Sequence, residues 1–561
     1  MDNYQIAEIL SLLSKLTDIH AENNFKAKSY AIAAFNIEKL PGQLSEIPKE
    51  KIASLKGIGE SSAKKIIEIL ETGSLKILQE LIEKTPVGVI EMLNIKGIGP
   101  KKISTIWKEM EIESIGELLY ACKENRLKLY KGFGEKTQQN VIETIEFYLN
   151  NQGSNLFPQV EAVEPQITAY LQKLFLPQNV YLTGSFKRNL EIIDELEYVV
   201  HSTPEDIKPK FETANPPELL EENDDSLLYK LLNGLKLRLY AETRDFEKKC
   251  FFTSGSPEFV NDFIFHFPHI DFSGASGQDD LAVFKAAGIH YIPPCLREKP
   301  EIITRAKATP LPDLIQPSDI KGIIHSHSNW SDGNNTLEEM ARAAREQGFA
   351  YLVISDHSKS AFYAQGLSEE RIRAQHEQID GLNRMFNDFK IFKSIESDIL
   401  YDGSLDYSNA VLGTFDLVIA SVHSILKMTE EKAMQRLIAA IENPYTTILG
   451  HMTGRLLLSR KGYPVDHKKI IDACAANDVV IELNAHPSRL DIDWRQIDYA
   501  LEKNVLISVN PDAHFIEGFK DTRYGVLAAQ KAMVTKSQNL SSMGLGDFET
   551  FIQKRKATKG I

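Results

Sequence analysis

At 561 residues the chain is too long for one compact domain, and at about 100 to 200 residues per domain it predicts three or four units. With 43% hydrophobic and 25% charged residues it has ordinary globular usage, which excludes collagen, coiled coil and wholesale disorder; four scattered cysteines without a CxxC pair exclude a disulfide framework. The net charge of −14 would repel nucleic acid if spread evenly, but residues 1–150 are close to neutral, so the acidic excess lies beyond them.

In the first 150 residues apolar positions recur at helical spacing, as in IAEILSLLSKL and AKKIIEIL, with glycine-centred turns and no strand pattern. MDNYQIAEIL has no signal-peptide character, and no apolar run approaches the ~20 residues of a membrane span, so a cytoplasmic protein without a membrane partner is expected. Three turns share one form: LKGIGESSAKK (55–65), IKGIGPKKI (95–103) and YKGFGEKT (130–137). Glycine permits the tight turn and lets backbone N–H groups approach an anion at the start of the next helix. Gly57, Gly59, Gly97, Gly99, Gly132 and Gly134, followed by Lys64, Lys65, Lys101, Lys102 and Lys136, therefore suit a DNA phosphate. These hairpins resemble the helix-hairpin-helix motif, which holds the sugar-phosphate backbone without reading sequence. ENNFKAKSYAIAA (22–34) resembles the small N-terminal domain of family X DNA polymerases, which implies a grip on the downstream strand of a gap. A DNA-end-binding domain over 1–80 and a fingers-like hairpin region over 81–150 are expected.

After a loop-like NNQGSNLFPQ, the runs NVYLTGSF, LEYVV, LKLRLYA and KCFFTSGS read as strands of an α+β unit over 151–300. LTGSFKRNLEIIDELEYVV (182–200) resembles the family X signature, Gly-Ser-x-x-Arg followed by a strand carrying Asp-x-Asp. The resemblance implies that Gly184 and Ser185 hold a triphosphate, that Arg188 supports it, and that carboxylates at i and i+2 hold two Mg²⁺ ions. Glu195 and Glu197 stand at those positions, and their extra methylene moves the oxygens by about 1.5 Å where about 0.5 Å is tolerated. Arg238, in GLKLRLYAE, stands where the third carboxylate belongs; it would repel Mg²⁺ and pair with Glu195 or Glu197 instead. FFTSGSPEFVNDF (251–263) and YIPPCLRE (291–298) resemble the thumb motifs, with Cys295 where the family usually has Glu. A palm and thumb with weakened or lost polymerase activity follow. Mg²⁺ is not expected there, and dNTP binding is left open.

A proline-rich linker is expected over 301–318, around KATPLPDLIQPSDI. Beyond it, apolar runs (GIIHSHS, AYLVISDH, LVIASVHS, TTILGH, VVIELNAH, VLISVNPDAH) alternate with helical segments, which argues for a parallel α/β barrel over 319–561. His325 and His327, two apart on a strand, point to one side. His357, Glu396, His423, His451, Asp512 and His514 also sit at the C-terminal ends of apolar runs, which a barrel gathers at one mouth.

This region resembles the PHP (polymerase and histidinol phosphatase) family, a distorted barrel with three metal ions that hydrolyses phosphoesters. The resemblance implies one metal on His325, His327, Glu396 and Asp512, a second shared by Glu396 with His423 and His451, and a third on Asp332, His357 and His514. Mixed nitrogen and oxygen donors suit Mn²⁺, Zn²⁺ or Fe²⁺, with Mn²⁺ first. Arg455 and Lys359 are candidate phosphate holders, Asp356 and Asp398 outer partners that orient ligands, and Asp406 a weaker one.

The whole chain resembles a bacterial family X DNA polymerase with a C-terminal PHP domain. That implies a multidomain α+β protein acting as a metal-dependent 3′-5′ exonuclease on gaps or 3′ ends, bound through backbone phosphates, and a monomer. Two alternatives stay open: a bifunctional gap-filling polymerase and exonuclease, and a small-molecule phosphatase of the histidinol-phosphatase type.

Overall fold

The computed structural model describes residues 3–21, 24–38, 40, 43–95, 97–149, 153–212, 216–272 and 280–561. Glu22 and Asn23 of the segment resembling the small polymerase domain, Lys96 of the second hairpin, and residues 150–152 of the expected loop lie outside them. The chain divides into two units, Met1–Glu146 and Phe147–Ile561.

The first unit is helical among its described residues. Helix Asn3–Ile19 buries Ile6, Leu10, Leu13 and Leu16, the three- and four-residue spacing of one helix face. Helix Glu60–Thr72 stops at Gly73, whose φ of 72° places it in the left-handed region while its N–H bonds to the Ile69 carbonyl. Packing runs across the boundary expected near residue 80: Ser104 Oγ donates to the Ile19 carbonyl at 2.7 Å, and Lys108 Nζ to the His20 carbonyl at 3.0 Å.

The second unit begins with a five-stranded sheet. Its strands are β1 (Val180–Thr183), β2 (Leu196–Val200), β3 (Glu218–Asn223), β4 (Ser226–Lys230) and β5 (Lys236–Ala241), in the order β1-β2-β5-β4-β3. Only the central β2–β5 pair is parallel, and it sets Glu197 beside Arg238. KCFFTSGS, read as a strand, lies largely in helix Phe246–Thr253, which buries Phe246, Cys250 and Phe251 along one helical face. The FFxS cluster is short and apolar, and periodicity alone does not separate strand from buried helix in such a run.

A second core follows, built on Phe251, Phe259, Phe263 and Phe284. Into it the fully buried Arg297 inserts its guanidinium, ion-paired to Asp280 at 2.5 Å and donating to Ser254 Oγ at 2.6 Å. Residues 301–308, expected as linker, form helix Glu301–Ala308, whose Ile302, Ile303 and Ala306 pack into this core.

Seven parallel strands then pair in sequence order: β6 (Gly322–Ser326), β7 (Tyr351–Ile354), β8 (Lys390–Asp398), β9 (Leu417–Ser421), β10 (Thr446–Leu449), β11 (Val480–Asn484) and β12 (Ile507–Asn510). The sheet curls until its edges meet just past the strand ends, where His327 N–H donates to the Ala513 carbonyl at 2.8 Å and Ala513 N–H to that of His325 at 3.2 Å. The strands are buried on both faces because helices cover the outside. Three of those helices start at side-chain caps, Thr336, Ser368 and Thr429, each accepting a hydrogen bond from the first turn. The result is the nearly closed α/β barrel that the alternating pattern implied.

Candidate metal centre and candidate nucleotidyltransferase site

Every barrel strand delivers polar side chains to the same mouth. β6 brings His325 and His327, β7 leads to His357, β8 carries Glu396 and Asp398, β9 leads to His423, β10 to His451, and β12 to Asp512 and His514. The convergence of His325 and His327 needs more than strand alternation. The β6–β7 register shifts between Ile323 and Ser326, His325 adopts φ 62°, and His327 already lies past the strand end. Asp512 likewise has φ 53°. Two side chains at one mouth in the left-handed region, which ordinary residues avoid, indicate backbone held out of its preferred state by its surroundings.

Glu396 is the centre of the cluster. Its Oε1 lies 3.0 Å from His451 Nε2, 3.1 Å from His423 Nε2 and 3.2 Å from His325 Nε2; its Oε2 lies 3.0 Å from His357 Nδ1 and 3.6 Å from His327 Nε2. Asp512 Oδ1 stands 3.1 Å from His327 Nε2 and 3.4 Å from His325 Nε2. Asp332 faces His357 Nε2 and His514 Nε2, both at 3.5 Å. Donor atoms of three sets lie within 4.8 Å of one another: His327, Asp332, His357 and His514; His325, His327 and Asp512; and His357, Glu396 and His423. The first and third sets share His357, which faces Asp332 through one nitrogen and Glu396 through the other.

Charge within the cluster is strongly coupled. Burial alone would favour neutral Glu396, Asp512 and Asp332, yet the neighbouring imidazoles hold all three well below the usual carboxylate range. Burial would pull His423 down, but Glu396 and Asp398 raise it to about 9. His327, buried and beside His514 and His357, is lowered.

The donor set fits divalent cations. His325 Nε2, His327 Nδ1 and Glu396 Oε2 are buried and make no hydrogen bond, an expensive state for polar atoms unless a cation receives them. The second ring nitrogens are oriented from behind, as metal-binding imidazoles require: His423 Nδ1 contacts Asp398 Oδ1 at 2.8 Å and His325 Nδ1 contacts Glu482 Oε2 at 2.6 Å. Asp356 sits farther out, accepting from Ser328 N–H, Ser328 Oγ, Ser331 Oγ and Gln375 Nε2, and thereby holds the loop that carries Asp332. Asp406 accepts from Ser360 N–H at 2.6 Å and stays outside the cluster.

The two candidate phosphate holders part ways. Lys359 is exposed, its Nζ 5.0 Å from the centre of the Tyr407 ring. Arg455 has its guanidinium ion-paired to Asp493 at 2.5 Å and donating to the carbonyls of Arg489 and Leu490, contacts that brace the 489–493 loop.

The nucleotidyltransferase site is filled from within. Ser185 N–H, expected to hold a phosphate, donates instead to Glu197 Oε1 at 3.0 Å, and Tyr240 Oη donates to Glu197 Oε2 at 2.9 Å. Gly184, at φ 71°, leaves room for that carboxylate, since a Cβ there would collide with it. Arg188 is paired with Glu298 at 2.5 Å, a carboxylate three residues beyond Cys295. Arg238 holds Glu195 with two nitrogens, at 2.5 and 3.1 Å.

In the first unit, Gly57, Gly97 and Gly132 have φ of 76°, 98° and 93°, as the hairpin turns require. Gly59, Gly99 and Gly134 have no such need, and a Cβ on any of them would meet nothing within 4 Å. Open space before a helix N-terminus is what close approach of a backbone phosphate uses. Lys64, Lys101 and Lys136 are exposed beside it.

Comparison with known proteins adds independent matches. The helix-hairpin-helix domain family matches residues 1–75, a SAM-like helix-hairpin-helix tandem matches 89–146, and the PHP domain family matches 324–486. A DNA polymerase/3′-5′ exonuclease PolX of Bacillus subtilis (strain 168) is 30% identical, the alignment covering 99% of this chain and all of that protein. A probable phosphatase of Acetivibrio thermocellus is 28% identical over 30% of this chain and 67% of its own length. One of Thermoanaerobacter sp. (strain X514) is 25% identical over 43% of this chain and 98% of its own.

Proposed function

This chain belongs to the family X DNA polymerases with helix-hairpin-helix domains and a C-terminal PHP domain, and from that premise we propose that it is a metal-dependent 3′-5′ exonuclease whose polymerase centre is silent. The observation that carries this reading is an opposition: nine ligand-competent side chains converge on the barrel mouth with polar atoms unsatisfied, while each charged group of the nucleotidyltransferase site is already matched by another side chain.

In this reading His325, His327, Glu396 and Asp512 hold one cation, Glu396 with His423 and His451 a second, and Asp332, His357 and His514 a third. Such ions, Mn²⁺ first and Zn²⁺ or Fe²⁺ next, supply Lewis acidity toward a phosphodiester and activate water at neutral pH. The chain contributes the rest. Asp398 and Glu482 orient the imidazoles from behind, and the hydrophobic barrel beneath them keeps bulk water from the floor of the site. Lys359 at the rim offers a cation to the phosphate next to the one being cleaved. The hairpins of the first unit hold the DNA by its backbone, so the substrate is a gapped duplex or a 3′ end chosen by shape.

The test is a gapped duplex labelled at the 5′ end of its primer, incubated with the full chain and Mn²⁺, with and without dNTPs. Primer shortening in both lanes, abolished by His325→Ala, is the expected result; primer extension with dNTPs would overturn the silent polymerase. The resemblance of the barrel to probable phosphatases favours one second reading, hydrolysis of a small phosphomonoester. Turnover of p-nitrophenyl phosphate with no shortening of the primer would select it.

A further inference from the structure

Glu482, on β11 between the strands that lead to His451 and Asp512, is fully buried and was not flagged by spacing. Its Oε1 accepts from the His451 backbone N–H and from Asn484 Nδ2, both at 3.1 Å; its Oε2 meets Asn510 Nδ2 at 2.8 Å and His325 Nδ1 at 2.6 Å.

The amide orientations are not arbitrary. His486 N–H donates to Asn484 Oδ1 at 3.1 Å, which fixes that amide with its NH₂ group toward Glu482, and Asn510, whose Oδ1 meets Ser508 Oγ at 2.6 Å, turns its NH₂ group to the same carboxylate. Three of the four partners of Glu482 thus donate to it, two of them, His451 N–H and Asn484, with no alternative. The carboxylate completes its set by accepting from His325 Nδ1–H, so in the neutral ring the proton stays on Nδ1 and Nε2, the nitrogen facing Glu396 and Asp512, is the one a cation takes. Asn484 Nδ2 also donates to Asp512 Oδ2 at 2.9 Å. One carboxylate thus reaches three of the proposed ligands: His325 through its ring, His451 through its backbone, and Asp512 through Asn484.

We propose that Glu482 is the positioning residue of this centre: it selects the metal-binding tautomer of His325 and holds His325, His451 and Asp512 in one arrangement before any cation arrives. The proposal rests on the metal reading above. Its distinctive consequence is that a side chain of the same shape with one oxygen replaced by NH₂ must fail. In Glu482→Gln the new NH₂ group faces two donors whichever way it turns. Where it faces His325 the imidazole proton moves to Nε2 and closes the lone pair to a cation; where it faces His451 N–H and Asn484 it dislodges the other two ligands.

The experiment titrates Mn²⁺ alone into the full chain after chelation, following free Mn²⁺ by its paramagnetic resonance signal, and records the thermal unfolding of each metal-free protein by circular dichroism. Glu482→Gln is expected to weaken Mn²⁺ binding by about 10- to 100-fold. Glu482→Asp, which keeps two accepting oxygens on a shorter stem, is expected to regain part of that loss and also serves should the glutamine variant not fold. Wild-type affinity in Glu482→Gln, or Glu482→Asp binding no better than Glu482→Gln, would overturn the assignment. A wild-type chain that takes up no Mn²⁺ would overturn the metal reading and this assignment with it, whereas uptake by wild type together with an unaffected glutamine variant would refute the assignment alone.

Discussion

The proposal of a silent polymerase is most directly tested at Arg238. A Mg²⁺ ion bound to Glu195 Oε1 would sit about 2.1 Å from that oxygen, and Arg238 Nη2 is 3.1 Å from the same atom, so cation and guanidinium would be no more than about 5 Å apart. A double and a single positive charge at that separation repel by about 7 kcal/mol at an effective dielectric of 20, which corresponds to about five orders of magnitude in Mg²⁺ affinity. Arg238→Asp removes the repulsion and restores an acidic side chain; adding Glu195→Asp and Glu197→Asp withdraws the carboxylate that now occupies the Ser185 N–H. The assay is primer extension on a gapped duplex with Mg²⁺ and dNTPs, every variant also carrying His325→Ala so that shortening does not mask extension. Wild type and the single Arg238→Asp variant are expected to extend nothing, the latter because Glu197 still fills the phosphate cradle, and the triple variant is expected to incorporate nucleotides. Extension by the wild-type sequence, lost on Glu197→Ala, would refute the reasoning at its root; a triple variant that binds Mg²⁺ yet extends nothing would show that charge occupancy is not what silences the site.

Chelation of the full chain should lower its unfolding temperature and Mn²⁺ should restore it, because a ligand at about 100 times its Kd stabilises by about 3 kcal/mol; identical thermal scans with EDTA and with Mn²⁺ would contradict the metal reading. Lys531 is buried, donates to the Arg188 carbonyl at 2.9 Å, and is lowered from 10.5 to about 8 by burial, an effect Glu298 and Glu191 only partly offset. Between pH 8 and 10.5 the unfolded chain keeps a proton that the folded chain has shed, so stability rises with pH across that window. At pH 7 the mismatch costs about 3 kcal/mol, and after losing a hydrogen bond of about 1 kcal/mol, Lys531→Met should gain about 1–2 kcal/mol in urea unfolding at pH 7 and lose that advantage by pH 10.5. A destabilised Met variant at pH 7 would count against this. At the hairpins, Lys64→Ala and Lys101→Ala should each reduce the slope of log K for duplex DNA against log salt by about 0.9; an unchanged slope would remove those lysines from the phosphate contacts.

How far the sequence discloses this molecule depends on where each residue finds its partner. The hairpin glycines and the apolar faces of the first unit are legible because turn conformation and helix burial are local properties. The barrel is legible because strand and helix alternate, and its histidines are legible because each occupies the same place relative to its own strand. The bulge that turns His325 inward is not visible, since a strict two-residue alternation predicts the same convergence from the wrong geometry. The five-stranded sheet is half legible: the expectation that Arg238 pairs with Glu195 or Glu197 follows from charge alone, and the structure pairs it with Glu195. That Glu197 would use its added methylene to reach the Ser185 N–H requires the β1–β2 register, which pairs Thr183 with Glu197.

Arg455 and Glu482 show the opposite ends of this dependence. Arg455 lies past the end of β10 and Glu482 in the middle of β11, and local sequence does not say which distant group either one meets. Arg455 meets Asp493, 38 positions away, and Glu482 meets His325, 157 positions away. The clustered histidines and carboxylates escape the difficulty because each takes the same place relative to its own strand, so residue type and strand position suffice to find the cluster. A side chain whose task is to hold a ligand in place answers only to its neighbour, and for Glu482 that neighbour is supplied by barrel closure, which brings β6 and β12 together beside β11. The cluster can thus be found before the fold is known, whereas the residue proposed to set the tautomer of His325 can be found only after it.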